Sequence, residues 1–76
     1  MYIPSEKDAK QIENNFTYHP PFKDQYQRYE QIREEGKKLA ISLSEKCPPS
    51  RELSLALTSL EQAIMWANAA IARNEK

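Results

Sequence analysis

The sequence predicts an all-α fold: a short N-terminal helix, then a long antiparallel helical hairpin that assembles into a homo-oligomer. Three observations carry this. The stretch SRELSLALTSLEQAIMWANAAIAR, Ser50 to Arg73, contains no Gly or Pro and sets apolar residues at spacings of three and four. The stretch from Phe22 to Leu43 repeats that spacing. No segment alternates polar with β-branched residues as a strand would, and the whole chain has one Gly.

The elements follow in order. Met1 to Pro4 is a short tail. Ser5 is suited to cap a helix over about 5–14, because its hydroxyl accepts from a free first-turn amide; Asp8 stands where a capping box carries Glu. Ile12 supplies one apolar contact, so this helix depends on tertiary support. Asn14 and Asn15 offer it a stop. Residues 15–22 form a linker containing FTYHPPF, with three aromatics, one His and two prolines in seven residues. Pro20 and Pro21 enforce extended backbone and keep His19 out of the helical region. Tyr18 and His19 thus stand on a stiff segment, a good surface for stacking on a purine base. In the other reading, Phe16 and Phe22 plug the end of a bundle and Tyr18 merely follows.

The second helix is expected over about 23–47, with Asp24 favourably placed in its first turn. Phe22, Tyr26, Tyr29, Ile32, Gly36, Leu39, Ala40 and Leu43 form its apolar stripe. Gly36 costs a helix interior roughly 1 kcal/mol relative to Ala. A close backbone crossing or room for a ligand would explain it. Arg28, Arg33, Lys37 and Lys38 face Glu30, Glu34 and Glu35, which balance most of that charge. Arg33 and Lys37, four apart on one face, are the pair suited to hold a phosphate together.

Lys46-Cys47-Pro48-Pro49 is a tight connection, which makes the two long helices antiparallel. The third helix is expected over about 50–74. Ser50 is its N-cap, and Glu52 suits its positive end. Leu53, Leu57, Leu60, Ile64, Ala67 and Ile71 form one face for a neighbouring helix. Leu55, Ser59, Gln62, Trp66 and Ala69 form another, with Met65 between. A single antiparallel partner covers only the first face. Trp66 and Met65 are then either core of a small bundle or contacts between copies of the chain. Asn74, Glu75 and Lys76 read as a fraying end.

Bulk properties exclude several function classes. The 76 residues form one domain, small enough for oligomerisation to be a natural source of stability. Lys plus Arg equals Asp plus Glu at 11 each, so a DNA, RNA or membrane-surface binder is not expected. The single Cys, Cys47, excludes a disulfide framework and suggests a reducing compartment. No run is apolar enough to span a bilayer, and the N-terminus is no signal peptide. His19 is the one His and lies far from Cys47, so no metal site is expected. No cofactor motif, phosphate loop or catalytic signature is present, and His19 has no partnered nucleophile or acid at a recognisable spacing.

The run Ser50, Arg51, Glu52, Ser54, Leu55, Ala56, Thr58, Leu60, Glu61, Ala63, Met65, Trp66, Ala67, Asn68, Ala69, Ile71 and Ala72, with FTYHPPF and the helix after it, resembles the helical-hairpin domain of phage anti-CBASS cyclic-oligonucleotide sponges, shared with the anti-Thoeris sponges. The resemblance covers about residues 14–74. With no second domain, the chain looks like the anti-CBASS group. The resemblance implies a compact hexamer in the cytoplasm of an infected bacterial host. It implies binding of cyclic di- and trinucleotides, such as cyclic GMP-AMP, which are sequestered without cleavage in separate pockets between subunits. It puts Tyr18 on a base and Arg33 on a phosphate in the dinucleotide pocket, with His19 and Lys37 as secondary candidates. Ser50 and Arg51 are assigned to the trinucleotide pocket, where free amides, a helix dipole and a guanidinium coincide. Thr58 and Asn68 fit interhelical contacts better than ligand contacts, and Glu61 fits an ion pair better than catalysis.

Two other classes stay open. A helical adaptor would bind a host protein through an exposed Leu55–Trp66 face. An enzyme degrading cyclic nucleotides would need a nucleophile, base or metal site, and the chain offers one His and one Cys.

Overall fold

The computed structural model describes residues 3 and 5–75. These form three helices, α1 (Glu6–Phe16), α2 (Gln25–Lys46) and α3 (Arg51–Asn74), with no strand among the described residues.

Each helix end has a local cause. Ser5 caps α1: its Oγ accepts from the Asp8 amide at 3.1 Å, and its carbonyl accepts from Ala9 at 2.8 Å. Glu6 and Asp8 lie in the first turn, where the dipole favours acids. The helix passes the asparagine pair and ends at Phe16. Gln11 Nε2 donates to Asn15 Oδ1 at 2.9 Å, and Thr17 Oγ1 donates to the Glu13 carbonyl at 2.6 Å, which closes the last turn. Helix α2 starts at Gln25, two residues later than the spacing suggests. Lys23 has φ 54°, left-handed backbone that an α-helix does not admit. The chain turns there, with the Gln25 amide donating to the Phe22 carbonyl at 3.1 Å. Cys47 closes α2 by donating to the Leu43 carbonyl at 2.9 Å. After the two prolines, Ser50 Oγ accepts from the Leu53 amide at 3.1 Å and caps α3.

Helices α2 and α3 pack as the hairpin, the main tertiary contact of the chain. The first face of α3, from Leu53 through Ile64 to Ile71, is half-buried along its length, as are Ile32, Ala40 and Leu43 of α2. Gly36 is buried at the seam. Leu39 and Tyr26 of the expected stripe are exposed. Helix α1 joins the hairpin through Asn14, whose Nδ2 donates to the Arg73 carbonyl at 3.0 Å.

This arrangement makes a flat molecule, 48 × 38 × 13 Å, with a radius of gyration of 16.6 Å. A compact chain of this length has a radius near ~11 Å. No hydrophobic residue among the described ones is fully buried. The second face of α3 is open, with Leu55 51%, Met65 68% and Trp66 65% exposed. Phe16 is 87% exposed, so it does not plug a bundle end within one chain.

Candidate functional site

Three features of the described surface carry recognition chemistry: the aromatic linker, a groove along the hairpin, and the start of α3.

The linker between α1 and α2 is neither helix nor strand. Its prolines donate no amide, so side chains add to the one backbone bond at Phe22 in holding it. His19 Nε2 donates to the Asn14 carbonyl at 2.9 Å, which fixes the ring against the end of α1. At the other end, the Phe22 amide donates to Gln25 Oε1 at 3.2 Å. Between these ties, Tyr18 projects outward, 80% exposed. A large aromatic on restrained backbone loses little freedom when a flat partner stacks on it.

The groove runs between α2 and α3, with a volume of about 1020 Å³. Its floor is apolar, with Gly36 and Ile64 at the seam and Ile41 and Met65 on the walls. Arg33, Lys37, Glu45 and Glu61 supply charge of both signs. The four-residue spacing puts Arg33 and Lys37 on one side of this groove. Arg33 is engaged there: its Nη1 donates to Glu30 Oε1 at 2.7 Å. The pair is exposed, and such pairs contribute about 0–1 kcal/mol, so an incoming phosphate can displace Glu30 at small cost. Asn68 also lines the groove, and its Oδ1 is buried without a hydrogen-bond partner. Tyr18 and His19 do not line it. One chain therefore does not gather Tyr18, His19, Arg33 and Lys37 into one pocket.

Ser50 and Arg51 lie at the opposite end of α3 from the linker, ~35 Å away along the helix at 1.5 Å per residue. The Ser50 hydroxyl is doubly used, accepting from Leu53 and donating to the Pro48 carbonyl at 3.0 Å. Arg51 is exposed beside it. The Arg51 and Glu52 amides lie in the first turn, at the positive helix end, and have no acceptor within the helix.

Sequence reasoning missed the polar cluster at the other end of α3. Of the end expected to fray, Asn74 and Glu75 are held by hydrogen bonds, and Lys76 lies outside the described residues. Arg28 forks onto the Glu75 carboxylate, with Nη1 to Oε2 at 2.6 Å and Nη2 to Oε1 at 2.5 Å. Gln25 Nε2 donates to Glu75 Oε1 at 3.1 Å, and Asp24 Oδ1 lies 3.2 Å from Arg28. The hydrogen bonds from Arg28 and then Gln25 hold the Glu75 carboxyl down to about 2, and the carboxylate in turn pushes Arg28 above its usual range. The Asp24–Arg28 spacing was a visible signal; nothing local pointed to Glu75.

Among the described residues no group of His, Cys, Asp and Glu is placed to hold a metal ion, and no helix is long and apolar enough to cross a membrane. A family model described as Acb2/Tad1, hairpin domain, matches residues 8–72, from the first turn of α1 to near the end of α3. No curated protein and no solved structure gives a significant match.

Proposed function

The chain belongs to the Acb2/Tad1 hairpin family, the anti-CBASS and anti-Thoeris sponges that bind signalling nucleotides without catalysis, and from that premise we propose that it sequesters cyclic di- and trinucleotides, cyclic GMP-AMP among them, in the cytoplasm of a phage-infected bacterium. The observation that carries the reading is the match over residues 8–72, which takes in the linker and the hairpin together.

The geometry supports a division of labour. Tyr18 offers an exposed ring for a base, and His19 stiffens the backbone beside it. Arg33 and Lys37 supply phosphate contacts from the groove. Because Tyr18 stands outside that groove in one chain, the dinucleotide pocket takes its stacking platform and its cations from different copies. Ser50 and Arg51 serve the trinucleotide from the amide-rich start of α3. Copies assemble, as a hexamer in the family's pattern, through the open face of Leu55, Met65 and Trp66. Capture needs no bond cleavage: ligand is held by stacking and charge, and the effector it would activate stays idle.

Calorimetric titration with cyclic GMP-AMP tests this, followed by heat release and chromatography of the ligand. Binding near one ligand per two chains, with ligand recovered intact, is the expected result. Failure to bind either cyclic GMP-AMP or a cyclic trinucleotide would favour the helical adaptor, for which the same open α3 face is the docking surface. Recovery of altered ligand would favour an enzyme.

A further inference from the structure

The residues that end α3 hold both ends of the linker that carries Tyr18. On the upstream side, His19 Nε2 donates to the Asn14 carbonyl at 2.9 Å, and Asn14 Nδ2 donates to the Arg73 carbonyl at 3.0 Å. On the downstream side, the Phe22 amide donates to Gln25 Oε1 at 3.2 Å, and Gln25 Nε2 donates to Glu75 Oε1 at 3.1 Å. Glu75 is fixed in turn by the two-pronged contact from Arg28.

Gln25 is the most buried side chain among the described residues, 2% exposed, and both ends of its amide are used. Such a group has one low-energy orientation as long as its acceptor stays in place. Without Glu75, Nε2 loses its acceptor, and the amide gains a reason to turn. Turning releases the Phe22 amide and leaves the Phe22 carbonyl, held by the Gln25 backbone amide, as the remaining tie on that side. The linker has no secondary structure to fall back on, and Pro20 and Pro21 contribute no donors.

We infer that Glu75 is a positioning residue for the ligand: with Arg28 it locks Gln25, and through Gln25 and Phe22 it fixes the linker in the arrangement that presents Tyr18. The inference rests on the reading of Tyr18 as a base-stacking residue. Glu75 touches no ligand in this scheme. It raises affinity by keeping the competent arrangement populated, so apparent Kd rises in inverse proportion to the fraction lost. A linker competent about a tenth of the time binds roughly tenfold more weakly.

The test is a set of cyclic GMP-AMP titrations on the full chain, with oligomeric state and helix content followed alongside. Glu75→Ala is expected to weaken binding roughly tenfold. Glu75→Gln, whose amide oxygen still accepts from Gln25 and Arg28, is expected to recover most of the loss. In a Tyr18→Ala background, Glu75→Ala is expected to add nothing, because the group it positions is gone. Asn14→Ala removes the side-chain bond to the Arg73 carbonyl, so the His19 contact is no longer anchored to α3, and it should repeat the pattern, which serves where Glu75→Ala fails to assemble. Wild-type affinity in an assembled Glu75→Ala chain, or in Asn14→Ala where Glu75→Ala does not assemble, would overturn the inference and leave the sponge reading standing. So would a loss that persists in full without Tyr18. No binding by the wild-type chain, or a Tyr18→Ala chain that binds as tightly as wild type, would defeat the functional reading first and the inference with it.

Discussion

A Cβ built on Gly36 would lie 2.7 Å from both Cγ1 and Cδ1 of Ile64. The glycine in the middle of α2 is therefore the price of close approach by α3. The sequence left two explanations open, a close crossing or room for a ligand, and the Ile64 side chain occupies the space. Gly36→Ala gains about 1 kcal/mol of helix propensity but sets a methyl against Ile64, and overpacking of this kind costs about 1–3 kcal/mol. The expected net is a loss of about 1 kcal/mol in urea unfolding. With Ile64→Ala as background the obstruction is gone, and Gly36→Ala should stabilise. A double-mutant cycle reads the change of sign.

The Arg28–Glu75 contact sets a pH dependence. Glu75 has its carboxyl lowered from 4.5 to about 2, chiefly by the hydrogen bonds from Arg28 and Gln25, with Lys23 adding a favourable charge. A carboxyl held below its unfolded value stabilises the fold fully above pH 4.5, and that contribution is lost as pH falls towards 2. Asp24 shares Arg28 at 3.2 Å, so the guanidinium sits between two carboxylates. The acid limb of the stability curve should flatten in Glu75→Gln. An NMR titration of the Glu75 carboxyl with a midpoint near its ordinary value would contradict the assignment.

Ser50 separates stability from recognition. Its hydroxyl caps α3 through Leu53, and truncation to Ala should cost about 1 kcal/mol. Asp is an equally good cap, so Ser50→Asp should keep the thermal midpoint close to wild type. It also puts a carboxylate where the trinucleotide phosphates are proposed to sit. Cyclic trinucleotide affinity should fall sharply in Ser50→Asp while cyclic dinucleotide affinity stays unchanged. Equal loss of both would place Ser50 in a structural role alone.

What the sequence made legible is what short-range chemistry decides. Ser5 and Ser50 each stand directly before a helix, and each hydroxyl accepts the amide three residues on. The face from Leu53 to Ile71 packs on α2, and the Leu55–Trp66 face stays open, because 3.6-residue periodicity assigns each to its own side. Arg33 and Lys37 share a groove for the same reason. Lys23 and Glu75 were not legible. A left-handed turn at a lysine leaves no mark in composition, and it delays α2 until Gln25. The bond from Arg28 to Glu75 spans 47 residues and exists only once the hairpin has closed. Glu30, Glu34 and Glu35 are nearer in sequence, and the first of these pairs with Arg33.

The open face of α3 is where stability and function meet. The chain exposes 6479 Å², against about 4800 Å² for a compact monomer of its mass. Among the described residues, nothing on the far side of the two-helix layer buries Trp66, which Arg73 partly covers at 5.9 Å. Copies of the chain would supply that cover, and a sponge whose pockets lie between subunits would lose its ligands with it. Trp66→Asp should therefore disperse the assembly in sedimentation, lower the thermal midpoint and abolish cyclic GMP-AMP binding together, although Trp66 lies outside every proposed pocket. An adaptor that uses this face for a foreign partner would instead keep its own oligomeric state and thermal midpoint in Trp66→Asp. Sedimentation of wild type and variant at one concentration separates the two.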